Sequence, residues 1–321
     1  MELDVTALGE LLIDVVTQST DADGYPTMVA HPGGAPCNFL AALSKYGART
    51  AFLGKVGEDA FGRLLTETLR TSGIETRGLQ HSADVFTTMA FVTLDASGDR
   101  QFSFARKPGA DTMLTFAECD LSLIDAARVF HFGTLSLTDE PARSTTRQAV
   151  AYAREKGKLI TFDPNLRLPL WRTEDQARAE ILWGLSRADV VKISDEEVRF
   201  LWGCGPEEGA ARILQEYGAQ LVFVTLGPDG CYYANRQASG RTGCPRVHPV
   251  DTTGAGDIFG GSAVSGILRC GREPAALTGG ELHDIARFAS AAASLSTERY
   301  GGISSVPEEA QVRQLLERGD W

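Results

Sequence analysis

Short apolar runs alternate with longer amphipathic stretches along most of the chain, and this rhythm restricts the fold more than any other feature. Val5 to Leu8, Thr50 to Val56, Ala127 to Phe132, Leu159 to Phe162, Val190 to Ile193 and Leu221 to Thr225 read as strands. Asn38 to Tyr46, Ala60 to Ser72, Pro141 to Lys156 and Thr173 to Ser186 carry the helical period between them. Strands joined through helices pair in parallel and need cover on both sides. The expected fold class is therefore α/β, a doubly wound, mostly parallel sheet with helices on both faces.

One segment breaks the rhythm. Thr87 to Leu94, the turn Asp95 to Asp99, and Arg100 to Ala105 read as a β-hairpin whose second arm places Phe102 and Phe104 on one face. The stretch Asp14 to Ala30, with Asp21 to Gly24 as a turn, offers a partner strand, giving a small sheet outside the main one. A lid over a site and an ordinary β appendage are both open readings at this point.

A formal charge of −11 argues against a general binder of nucleic acid or of an anionic membrane, since either needs a concentrated positive surface. No apolar stretch reaches the roughly 18 residues of a membrane-spanning helix. The six cysteines show no C-x-x-C pair, so neither zinc spacing nor a disulfide framework is visible. With no basic leader ahead of the first apolar run, a reduced, cytoplasmic setting is expected.

The segment Asp251-Thr-Thr-Gly-Ala-Gly-Asp257 precedes a helix of small and apolar residues, Ile258 to Leu268. Glycines before a helix let the backbone turn tightly and present N–H groups where the dipole favours an anion. Asp257 falls at that terminus, where a carboxylate either caps the helix or acts as a base beside a bound phosphoryl group. A cap alone gives no reason for Asp251, Thr252 and Thr253 just upstream. Their oxygens suit a cation or an anchored loop. No G-x-x-x-x-G-K-[ST] occurs, and no G-x-G-x-x-G follows the first strand, so a Walker-type NTPase and a dinucleotide oxidoreductase are disfavoured.

Near the other end, Pro32-Gly-Gly-Ala-Pro-Cys-Asn-Phe39 opens a helix with two adjacent glycines and Asn38. Paired glycines allow a polyhydroxy ligand close to the backbone, and an asparagine offers both donor and acceptor. Together with Gly54 to Gly62, Ala7 to Asp14, His131 to Leu137, Phe162 to Arg167, Val191 to Ser194 and Val224 to Gly227, this set resembles the ribokinase-like (PfkB) family of carbohydrate kinases, closest to its bacterial fructokinase branch. The resemblance covers essentially the whole chain.

It implies a single ribokinase-like domain over residues 1–321, with a lid from about residues 14–31 and 86–106. Carried over by position, it implies that Asp14, Gly33, Gly34 and Asn38 bind sugar hydroxyls, with Phe104, Arg106, Asn165 and Arg167 nearby. Asp257 would deprotonate the attacking hydroxyl, and the backbone N–H groups of Gly254, Ala255 and Gly256 would form an anion hole. Lys192, Thr225, Gly227, Gly230 and Ser290 would contact the nucleotide, Glu197 would organise Mg²⁺ through water, and Asp251 and Thr253 would belong to a monovalent-cation site. Ser194 and Ser290 depart from the family pattern, which often has Asn at both places. The implied activity is ATP-dependent phosphorylation of a sugar, D-fructose to fructose 6-phosphate first, with 2-keto-3-deoxygluconate, ribose or a nucleoside as alternatives, and a non-catalytic sugar or nucleotide sensor as the rival of another class. The implied cofactors are ATP, Mg²⁺ and K⁺. The implied partners are the small-molecule sugar and ATP, no nucleic acid, no membrane, and a second copy through the lid.

Overall fold

Two sheets build the structure, a computed structural model that describes residues 2–94 and 100–319. The strands run in chain order as β1 (Val5–Leu8), β2 (Leu12–Thr20), β3 (Pro26–Gly33), β4 (Thr50–Gly57), β5 (Ile74–Glu75), β6 (Leu79–Ser82) and β7 (Met89–Leu94). They continue as β8 (Arg100–Ala105), β9 (Val129–Gly133), β10 (Leu159–Asp163), β11 (Val190–Ser194), β12 (Leu221–Thr225), β13 (Cys231–Asn235) and β14 (Ser239–Thr242). The larger sheet has the order β14, β13, β12, β11, β10, β9, β1, β4, β5, with β6 paired on β4. Its pairs are parallel from β12 to β5, and β13 and β14 add an antiparallel edge. The smaller sheet has the order β3, β2, β7, β8.

The helices are α1 (Ala35–Lys45), α2 (Ala60–Thr71), α3 (Leu121–Ala126), α4 (Ala142–Glu155) and α5 (Glu174–Leu185), then α6 (Asp195–Trp202), α7 (Pro206–Glu216), α8 (Ala255–Cys270), α9 (Gly279–Ser296) and α10 (Glu309–Arg318). Alternation along each strand divides the core. Phe130, Ile160, Val191 and Val222 face one way, toward α4, α5 and α7, whereas Val129, Val190, Leu221 and Phe223 face α1, α8 and α9. Apolar side chains on both faces explain why these strands read as unbroken apolar runs.

The strand and helix expectations agree with the structure to within a few residues. Two differences have local causes. The first helix begins at Ala35 rather than Asn38, because Pro36 is pre-set for a first helical turn and loses no hydrogen bond there. The stretch 14–30 is two antiparallel strands, β2 and β3: Asp21 Oδ1 accepts the N–H groups of Asp23 (3.0 Å) and Tyr25 (2.8 Å) and turns the chain back. The hairpin of β7 and β8 is present, and its expected turn Asp95 to Asp99 lies outside the described residues. Among the described residues, no helix is long and apolar enough to cross a membrane.

Candidate active site

A cleft of about 1110 Å³ lies at the carboxyl ends of the central strands. From β1 the chain builds outward to β4 and β5 on one side, then returns to β9 and builds β10, β11 and β12 on the other. Such reversals leave a crevice at the strand ends, the usual ligand position in an open α/β sheet. The smaller sheet supplies the opposite wall. Asp14, Ala90 and Phe104 form one cross-strand row through β2, β7 and β8, and all three line the cleft. On β2 the neighbours Ile13 and Val15 point the other way and join the core.

Asp257 is at the centre. It stands in the first turn of α8, but its carboxylate does not cap that helix. Oδ2 accepts from Asn38 Nδ2 at 2.8 Å, and Oδ1 accepts from Asn165 Nδ2 at 2.9 Å. Burial raises the Asp257 pKa above the ordinary value, while the hydrogen bond from Asn38 and the charges of Lys192 and Arg167 oppose that rise. The buried carboxylate is thus engaged by two side-chain amides rather than by the N–H groups of its own helix, so helix capping does not account for its position.

Gly254 opens α8 with φ of 77°, a left-handed conformation in which a side chain is strained. A Cβ there would lie 2.9 Å from the Gly302 Cα, so the close approach of two backbones also excludes one. Ala255 N–H turns back to the Thr252 carbonyl at 3.3 Å, whereas the N–H groups of Gly254 and Gly256 have no acceptor among the described residues. Two N–H groups are thus left for an anion.

Lys192 approaches that terminus from β11. Its Nζ is 3.0 Å from Asp163 Oδ2 and 2.8 Å from where a Cβ on Gly256 would be. Burial works against the ammonium, yet Asp163 and Glu197 outweigh it and raise the Lys192 pKa, so the cation is retained. Glu197 lines the cleft with both oxygens occupied: Oε1 accepts Leu166 N–H at 2.7 Å and Oε2 accepts Ser194 N–H at 2.8 Å, the latter as half of a capping box. Thr225 and Gly227 line the same end.

At the other end, Asp14, Gly34, Asn38, Asn165 and Arg167 converge. Burial moves the Asp14 pKa up to about 7, opposed by Arg167 and reinforced by Asp257 and Asp251. Gly34 has φ of 117°, and a Cβ on it would meet the Glu10 carbonyl at 2.5 Å. Only glycine carries the chain through that point.

A family model described as pfkB family carbohydrate kinase matches residues 2–309. The chain belongs to that family of carbohydrate kinases. This kinase is 40% identical over 317 residues to fructokinase-1 of Oryza sativa subsp. japonica, covering 98% of this chain and 97% of the relative. It is 38% identical over 320 residues to the fructokinase of Solanum tuberosum, covering 98% and 96%. Among solved structures, a fructokinase with bound ATP from Xylella fastidiosa aligns with a TM-score of 0.91 at 29% identity over all of both chains. A fructokinase double mutant from Vibrio cholerae O395, bound to fructose, ADP and potassium ion, aligns with a TM-score of 0.86 at 29% identity over 98% and 99%. The ribokinase-like fold expected from the sequence is the one found.

Several expected site residues of the kinase lie outside the cleft lining. Arg106 is the clearest. Its guanidinium is bound at Asp111 (2.6 and 2.8 Å), Thr138 Oγ1 (2.8 Å) and the Leu135 carbonyl (2.8 Å), with the side chain 1% exposed. The resemblance implies a place near the sugar, whereas this arginine is buried against Asp111 and Thr138. Ser290 is buried on α9, and Gly33, Gly230 and Ala255 are also outside the lining. Asp251, 3% exposed, is held by loop bonds: Oδ1 accepts Thr253 N–H and Oγ1–H, and Oδ2 accepts Gly301 N–H at 2.9 Å.

Sequence reading missed two acidic groups of this kinase. Glu10 lines the cleft, and its Oε1 accepts Ala35 N–H at 2.8 Å, tying the end of β1 to the start of α1; burial raises its pKa to about 7. Asp163 was missed as well, although the order Asp-Pro-Asn at a strand end is itself a turn signal. His131 is buried, stacked on Phe39 at 3.7 Å, with Nδ1 3.0 Å from Thr161 Oγ1, a packing role.

Proposed function

We propose that this kinase transfers the γ-phosphoryl group of ATP to the primary C6 hydroxyl of D-fructose. The single observation that carries the reading is Asp257, held by Asn38 and Asn165 between a polar pocket and the N-terminus of α8. The named relatives with fructose and ATP support the choice of substrates.

In this scheme the hydroxyl bound near Asp14, Gly34 and Arg167 gives its proton to Asp257 as its oxygen attacks the γ-phosphorus. The bond to the leaving ADP oxygen breaks in line. The N–H groups of Gly254 and Gly256 and the Lys192 ammonium meet the charge on the transferring group, and such preorganised donors commonly supply the largest share of catalysis. Positioning supplies most of the rest. The smaller sheet acts as a lid whose row of Asp14, Ala90 and Phe104 excludes water, the competing acceptor.

Glu197 suits Mg²⁺ only through water, because both of its oxygens already accept N–H groups. Held there through water, Mg²⁺ would supply neutralisation of phosphate charge. Asp251 and Thr253 offer only oxygen donors, the set a hard monovalent cation such as K⁺ takes. Tyr25, 71% exposed beside the turn of the smaller sheet, supports pairing of two copies through their lids, and the scattered free thiols suit a cytoplasmic setting.

An enzyme-linked ADP-release assay across fructose, ribose, 2-keto-3-deoxygluconate and nucleosides, with and without K⁺, tests this. Fructose is expected to give the highest kcat/KM. Absence of turnover with every acceptor would overturn the kinase reading, and preference for another acceptor would replace fructose.

A further inference from the structure

Asp163 belongs to neither the base nor the anion loop, yet its carboxylate reaches toward both. Pro164 follows it, which keeps Asp163 extended at the end of β10, beside Lys192 on the neighbouring strand β11. There Oδ2 bonds Lys192 Nζ at 3.0 Å, and Oδ1 accepts the N–H of Asn165 at 3.2 Å. The second bond closes a turn of the kind an aspartate makes two residues ahead. It holds Asn165 at φ of 45°, a left-handed conformation uncommon for a residue with a side chain. From that conformation Asn165 Nδ2 reaches Asp257 Oδ1 at 2.9 Å.

We propose that Asp163 is a positioning residue that, with one carboxylate, fixes both the lysine on the phosphate side of the cleft and the asparagine that orients the base. The two halves of the reaction, phosphate and hydroxyl, are thereby held in register by a side chain that touches neither. This rests on the phosphoryl-transfer reading above.

A plain counter-ion for Lys192 is the competing account. It leaves the bond to Asn165 and the left-handed turn without a purpose. Nor does stability favour it, since a buried ion pair is commonly no better for folding than an apolar pair of the same shape. The registration account predicts more. A displacement of about 1 Å at a reacting group can cost as much as a hundredfold in rate, so slack at Asn165 should be felt at Asp257 even when Lys192 is gone.

The experiment removes the lysine first, so that no variant carries an unpaired buried cation. In the Lys192→Met background, Asp163→Ala is expected to lower kcat for fructose by about a further tenfold, with fructose KM changed less than about threefold, because Asp14, Gly34 and Arg167 are untouched. Asp163→Asn in the same background keeps an oxygen for the Asn165 N–H and is expected to recover kcat to the Lys192→Met level. The side-chain amide signal of Asn165 in a ¹⁵N spectrum, assigned by its loss in Asn165→Ala, is expected to move in the Asp163→Ala pair and to stay in the Asp163→Asn pair. Equal kcat for Lys192→Met and Lys192→Met/Asp163→Ala, or an unmoved Asn165 signal, would reduce Asp163 to a counter-ion. Turnover by the unaltered protein is measured alongside: its absence would sink the kinase reading, and the amide signal would still decide the turn.

Discussion

Replacing Asp257 with asparagine gives the most direct reading of the chemistry, because the shape is kept and the proton acceptor is lost. The native carboxylate accepts from two amide donors, Asn38 Nδ2 at 2.8 Å and Asn165 Nδ2 at 2.9 Å. An asparagine at 257 has one oxygen and one NH₂ group, so it satisfies one donor and turns an NH₂ toward the other. That mismatch costs about 1 kcal/mol of stability, offset because no carboxylate has to ionise in a buried site. Melting temperature should therefore move by a few degrees at most. The rate should not be so lightly touched: a positioned base contributes about 10² to 10⁴ in rate, or about 3 to 5 kcal/mol of barrier. Steady-state ADP release should show kcat down by that factor, and calorimetric fructose binding should stay within about threefold of the native protein. In the native protein, kcat/KM should fall on the acid side at a pH above the ordinary carboxylate value of 3.8, since burial raises the Asp257 pKa. An Asp257→Asn protein retaining kcat within about threefold would remove the base from the mechanism.

Arg106→Ala should leave Asp111 buried without its cation and cost about 3 to 5 kcal/mol in urea unfolding; unchanged stability with a raised fructose KM would restore the ligand role expected from the sequence. Glu10 predicts a pH trend with a defined sign. Its folded pKa is raised from 4.5 to about 7, so the native state keeps a proton that the unfolded chain has lost, and its contribution to stability is present below pH 4.5 and disappears as pH rises through 7. Glu10→Gln should accordingly be more stable than the native protein at pH 8 by an amount on the order of 3 kcal/mol, and equal to it at pH 4; a gap of the same size at both would refute the assignment. Gly34→Ala should disable the sugar loop, because the added Cβ meets the Glu10 carbonyl and φ of 117° is strained; it should raise fructose KM at least tenfold, and a normal KM would show that this loop does not bind the sugar.

The sequence alone carried the parallel sheet, since apolar runs spaced by helical periods leave few other ways to bury both faces of a strand. It also carried the importance of Asp251 to Asp257 and of Pro32 to Asn38, because glycines adjoining a helix start have local backbone consequences. Local signals stop at contact between distant elements. Nothing in the chain order says that Asn38 and Asn165 meet on Asp257, 219 and 92 positions away, or that Asp163 spans from Lys192 to Asn165. Arg106 was expected near the sugar, and only packing against Asp111 and Thr138 shows its guanidinium turned inward. Asp257 itself was ambiguous by position, since a first-turn aspartate caps helices as readily as it takes protons. Only the tertiary structure brings Asn38 and Asn165 onto one Asp257 oxygen apiece, beside the backbone N–H groups of Gly254 and Gly256 that have no acceptor among the described residues.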